Sequence, residues 1–150
     1  MHYRIVGVDP GLMTGLVSFT IDGSEHVDNI ESYQLDLVGI GNYLATRIDQ
    51  DTTVCYEVAN KFQASGHMSS EVIGPVKYFT AIVGAKCVPV TQSSHKRLIT
   101  KEVLKRARLD VKGDHAKDAA RVGLFYTVTK LGLGKSYLAQ GDNYGAEASY

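Results

Sequence analysis

Carboxylates hold the divalent cations of phosphoryl chemistry, and this 150-residue chain places three of them at informative points. Asp9 closes the apolar start of Val6-Gly7-Val8-Asp9-Pro10-Gly11-Leu12-Met13-Thr14-Gly15. Glu57 stands near the end of Val54-Cys55-Tyr56-Glu57-Val58, and Asp118 lies in His115-Ala116-Lys117-Asp118-Ala119-Ala120. Pro10-Gly11 supplies the fixed φ and the positive φ of a type II turn, which would hold Asp9 at a strand edge rather than on a mobile loop. Singly, each acid has a plain structural reading: Asp9 opens a turn, Glu57 pairs with a lysine, and Asp118 favours the helix dipole. Jointly they describe a cation site, because clustered half-buried carboxylates repel one another unless cations neutralise them. Two Mg²⁺, or Mn²⁺ in their place, held about 4 Å apart would activate a water and stabilise the leaving oxygen in an in-line attack on phosphorus.

His115 precedes Asp118 by three residues and shares its helical face, where Ala119 and Val122 continue a stripe that must pack inward. A neutral imidazole there could bind a metal or hydrogen-bond the attacking water, and acid would then suppress activity. Asp114, four residues before Asp118, is the other candidate for a fourth ligand, and its position also suits a helix cap.

These groups need a scaffold. Residues 3–8, 15–21 and about 27–33 read as strands, with Asp22-Gly23 a hairpin signal between the second and third. Ile40, Leu44 and Ile48 recur at helical spacing after Asp36, and residues 53–58 return to a strand. A second helix runs from Ser69 or Ser70 to about residue 83, with Gly74-Pro75 delaying or kinking its start. A fifth strand covers 86–90. A basic third helix covers 94–108, with Leu98, Val103 and Leu104 inward and Lys96, Arg97, Lys101, Lys105, Arg106 and Arg108 turned elsewhere. Asp114 caps the last helix, which runs to about Leu131 and stops at Gly132. This order predicts an α/β fold, a mixed sheet flanked by helices.

Composition predicts one domain over residues 1–135 and a flexible tail over 136–150. No apolar run approaches the ~20 residues of a membrane span, and no secretory layout opens the chain, so a cytoplasmic protein without membrane association is expected. Cys55 and Cys87 sit in apolar runs as reduced, buried thiols. The zero net charge hides an asymmetry: residues 1–57 carry nine acids and two bases, whereas residues 58–135 carry fourteen bases and five acids. Acids to hold cations beside bases to hold a phosphate backbone suit a phosphodiester-cutting enzyme.

On the Val6–Gly15 segment, the strand ending at Glu57 and the His115–Ala120 segment, the chain resembles the RuvC-like Holliday junction resolvases of the RNase H-like superfamily. The resemblance covers about residues 3–131. It implies an RNase H-like fold with a five-stranded mixed sheet, three antiparallel strands then two parallel, flanked by helices. It also implies a divalent-metal endonuclease that acts as a homodimer and nicks two strands of a four-way junction, leaving 5′-phosphate and 3′-hydroxyl ends. Carried over residue by residue, Asp9, Glu57, His115 and Asp118 are the catalytic and metal-binding four, and Lys96 and Lys101 lie near the scissile phosphate. Many members carry an acid where His115 stands; an H-x-x-D form is also familiar, and the resemblance favours His115 over Asp114. The short segment between Lys96 and Lys101 is similar to the compact bacteriophage branch.

The family carries a loop after its second acid that inserts an aromatic wedge at the junction. Phe62, between Lys61 and Gln63, is the candidate wedge here, with packing of a loop aromatic over the core as the alternative. Lys61, Phe62, Lys96, Arg97, Lys101 and Lys105 make up the expected DNA-binding set. The second helix, with Val72, Ile73, Val76, Phe79, Ile82 and Val83, is apolar over more of its circumference than one sheet face requires, so it supplies a dimer contact or a fully buried helix. Branched DNA is the expected partner and no nucleotide cofactor is expected. The rivals are a flap- or fork-cutting enzyme with the same site, a DNA-binding module without catalysis, and an actin-like nucleotide-binding protein, which would need two such domains around its nucleotide.

Overall fold

The computed structural model describes residues 1–58 and 66–138, with backbone alone for 66–70. Three strands open the fold, β1 (His2–Asp9), β2 (Thr14–Asp22) and β3 (Val27–Leu35), followed by helix α1 (Leu37–Arg47) and β4 (Thr52–Val58). Helix α2 (Gly66–Val83), strand β5 (Lys86–Thr91) and helices α3 (Gln92–Leu98), α4 (Lys101–Arg106) and α5 (Asp114–Tyr126) complete it. The sheet order is β3-β2-β1-β4-β5. β1 pairs antiparallel with β2 and β2 with β3, whereas β4 lies parallel to both β1 and β5. This is the mixed sheet expected from the sequence.

Period-2 alternation sends the strand residues to two helical layers. Ile5, Val17, Phe19 and Cys55 pack with Leu104, Ala119 and Leu124 beneath α3–α5. Val6, Val8, Leu16 and Val54 pack with Ile40, Leu44 and Val76 beneath α1 and α2. Cys55 and Cys87 fall in opposite layers, so the two thiols cannot bridge, and burial pushes the Cys55 thiol well above its ordinary range. On α2, Val72 and Val76 are core, Ile73, Phe79 and Val83 are half-buried against it, and Ile82 is exposed together with Tyr78 one turn earlier. Among the described residues no helix is long and apolar enough to cross a membrane.

Helix α5 lies almost on the backbone of β1 and β2. A Cβ at Gly7 would fall 2.0 Å from the Ala119 carbonyl oxygen, and one at Gly15 would fall 1.9 Å from that of His115. Only glycine allows this approach.

Several boundaries differ from the sequence reading. The basic helix is two helices, because the Thr100 side chain accepts the Val103 N–H at 3.3 Å and starts α4 afresh, while the Ile99 N–H closes α3 on the His95 carbonyl. Helix α2 begins before Ser69 and carries Pro75 inside it. Gly11 does not adopt positive φ, so the expected type II turn is absent; the Thr14 hydroxyl donates to the Gly11 carbonyl at 3.1 Å and closes the turn instead. Asp114 is not the cap: Gly113, at φ 90°, precedes the helix, and Asp114 is its first residue. Helix α5 continues as a π-helical turn (Thr127–Leu131) and stops at Gly132, φ 71°, as expected. A 3-10 turn (Lys135–Tyr137) then docks on the β2–β3 hairpin, where Glu25 accepts its first backbone N–H groups. The remainder of the expected tail, residues 139–150, lies outside the described residues.

Candidate metal and nucleic-acid site

Parallel pairing of β1 and β4 sets Val8 against Tyr56, so Asp9 and Glu57 each follow by one residue at the same end of neighbouring strands. Both fall on the same strand face as Ile5 and Cys55, the face covered by α5. The close seat of α5 over Gly7 and Gly15 then brings the start of that helix, with His115 and Asp118, across the same sheet end.

Each carboxylate is matched to a base. His115 Nδ1 donates to Asp9 Oδ2 at 3.2 Å. His95 Nε2, on a fully buried ring, donates to Glu57 Oε2 at 2.9 Å. Asp118 accepts from Arg121 at 2.6 Å through Oδ1 and faces Lys96 Nζ at 3.3 Å through Oδ2. Arg121 also donates through Nε to the Ile99 carbonyl at 3.1 Å, which ties α5 to the α3–α4 junction. The Asp9 pKa is pushed up to about 6, first by burial and then by the negative charge of Glu57; the His115 hydrogen bond opposes this and the Asp118 charge adds to it. Asp9 therefore feels both other acids.

The donors fit a hard divalent cation in kind: carboxylate oxygens, one imidazole, and a surplus of negative charge around Asp9. In this arrangement the acids are turned to their bases, and among the described residues no three His, Cys, Asp or Glu side chains are gathered closely enough to hold a metal.

Beside the acids opens a cleft of about 510 Å³, lined by Lys96, Lys101, Asp114, Lys117, Asp118 and Arg121. Of the basic residues singled out from sequence, the structure brings Lys96 and Lys101 into it. Lys105 pairs with Glu102 at 3.6 Å and Arg97 is exposed, and neither lines the cleft. Lys61, Phe62 and Gln63 lie outside the described residues. The two candidates for a fourth ligand separate: His115 meets Asp9, while Asp114 lines the cleft. Sequence reasoning missed Lys117, Arg121 and His95. Arg121 follows Asp118 by three residues, a spacing that signals a helical ion pair; His95 is hidden at the front of a basic run.

No protein-family model and no curated protein sequence matches the chain. Solved structures do. RuvC of Thermus thermophilus superposes with a TM-score of 0.69 at 15% identity over 89% of this chain and 98% of that one. The T. thermophilus RuvC in complex with a Holliday junction substrate gives 0.65 at 15% identity, over 83% and 93%. The Fowlpox virus resolvase in complex with Holliday junction DNA gives 0.57 at 18% identity, over 81% and 97%. The chain has an RNase H-like fold. Within that class its architecture is RuvC-like.

Proposed function

We propose that this chain is a metal-dependent, structure-selective DNA endonuclease that resolves Holliday junctions by paired symmetric nicks, leaving 5′-phosphate and 3′-hydroxyl ends. One observation carries the reading: Asp9 is crowded by two further acids at the end of the sheet, directly beside a cleft lined by four bases, on a fold shared with junction resolvases. Asp9, Glu57, His115 and Asp118 would hold two Mg²⁺, with Mn²⁺ able to substitute. When bound, the cations supply an activated water and a stabilised leaving oxygen.

The chain's own residues prepare that chemistry. His115 donates an Nδ1–H hydrogen bond to Asp9 and keeps the proton, which leaves Nε2 as the lone-pair nitrogen that can coordinate or accept from water. Lys96, Lys101, Lys117 and Arg121 receive the DNA backbone by phosphate contacts, which set position without reading bases. Two opposed cuts call for a twofold dimer matching the substrate's symmetry. The exposed Tyr78 and Ile82 of α2, with Leu37 and Val38 at the start of α1, supply its apolar contact. Phe62 remains our candidate for the junction wedge, between Lys61 and Gln63.

The test is cleavage of four-way, flap, fork and linear duplex DNA with Mg²⁺ or Mn²⁺, mapping the nicks. Symmetric paired nicks confined to the four-way substrate are expected; preferential cutting of flaps or forks identifies the rival nuclease. Asp9→Asn should bind junctions without cutting them; a wild type that binds junctions but cuts none, with Asp9→Asn indistinguishable from it, would leave only a binding module.

A further inference from the structure

We infer that His95 is a positioning residue for Glu57, holding one carboxylate oxygen so that the other is presented to the cation; this rests on the metal-site reading above. His95 is fully buried on α3, and its Nε2 meets Glu57 Oε2 at 2.9 Å. A carboxylate only accepts, so the shared proton sits on Nε2. The other ring nitrogen, Nδ1, is buried with no hydrogen-bond partner among the described residues.

That orphaned nitrogen is the informative feature. A core position that needed only volume would be filled by an aliphatic side chain, with no polar atom left unpaired. The sequence instead keeps an imidazole whose one hydrogen-bond partner among the described residues is Glu57. Glu57 sits at the end of β4 with little solvent to orient it, only 8% exposed. One fixed hydrogen bond on Oε2 therefore sets the plane of the carboxylate, and the lone pairs of Oε1 are those left for a cation. The neighbouring Lys96, on the same short helix, reaches Asp118. Consecutive residues of α3 thus address two of the acids, and α3 is held in place by the Arg121 bond to Ile99 just past its end.

The experiment compares His95→Leu, which keeps volume and loses the donor, with His95→Gln, whose side-chain amide N–H reaches about as far as Nε2. Mn²⁺ binding without DNA is measured by electron paramagnetic resonance, the Mg²⁺ dependence of four-way junction cleavage is measured alongside, and thermal unfolding in EDTA checks folding. His95→Leu should weaken Mn²⁺ binding and raise the Mg²⁺ concentration for half-maximal cleavage by about 10–100-fold. His95→Gln should restore most of both, and junction binding in EDTA should stay unchanged in either variant. Nitrogen-15 NMR of the metal-free wild type should show the His95 proton on Nε2, a readout that survives a failure of either variant to fold; a proton on Nδ1 alone overturns the inference. Normal Mn²⁺ binding by His95→Leu overturns it while leaving the site reading intact. Absence of Mn²⁺ binding by the wild type overturns the site reading and this inference together.

Discussion

Asp9→Asn should make the metal-free protein more stable while abolishing cleavage. The Asp9 carboxyl is pushed from 3.8 to about 6 by burial and by Glu57, with Asp118 adding to the effect. The folded state therefore keeps a proton that the unfolded chain releases, and the group's contribution is full below about pH 4 and lost as pH rises through about 6. At 1.36 kcal/mol per pKa unit this shift amounts to about 3 kcal/mol lost at pH 7.5. Asparagine keeps the volume and an acceptor for His115 but carries no charge, so it recovers most of that amount. For a domain of this size the gain corresponds to a rise in Tm of roughly 6–12 °C. Urea unfolding of both proteins in EDTA at pH 4 and pH 7.5 measures it, with the difference expected at the higher pH and nearly absent at the lower. Added Mg²⁺ should stabilise the wild type in proportion to the logarithm of its concentration and leave the variant almost unmoved. An Asp9→Asn protein equal to or weaker than the wild type at pH 7.5 would mean that neither burial nor the neighbouring acids penalise the Asp9 charge, and the electrostatic case for a cation site would fall.

Gly15→Ala places a methyl 1.9 Å from the His115 carbonyl, so it should cost about 1–3 kcal/mol in urea unfolding and depress cleavage; unchanged stability would contradict the seat of α5 on β2. Lys101→Ala and Lys117→Ala should each weaken binding of every DNA sequence alike and lower the slope of log affinity against log salt by about one, as read from titrations at several salt concentrations. Thr100→Ala should lose about 1 kcal/mol in thermal or urea unfolding because a cap is removed, whereas in one continuous helix alanine would be neutral or stabilising.

The sheet was legible because its cues are local. β-branched and alternating residues mark each strand, and the Gly132 stop acts within one turn of the chain. The break between α3 and α4 was not read because Leu98, Val103 and Leu104 continue the apolar period straight across it. Only the Thr100 hydroxyl betrays it, and threonine at an exposed helical position is unremarkable. The same distinction divides the site. Placement of Asp9 and Glu57 at adjacent strand ends follows from pattern and topology. The pairing of Glu57 with His95 and of Asp9 with His115 spans 38 and 106 residues, and no periodicity encodes a contact of that kind.

What the long-range pairs create is a competition. Asp118 has one oxygen on Arg121 and the other facing Lys96, so a cation approaching that carboxylate meets two positive charges already in place. The same two bases line the cleft proposed to receive the phosphate backbone. A phosphate that draws Lys96 toward itself relieves Asp118 of a partner and adds negative charge beside it, and both changes favour cation entry; by linkage, bound cations return the favour to DNA. Arg121 is less easily drawn away, because its second bond fixes it to the Ile99 carbonyl. Lys96, long, single-headed and nearly half exposed, is therefore the movable half of the pair, and its place next to His95 lets one short helix hold Glu57 firmly while it holds Asp118 loosely.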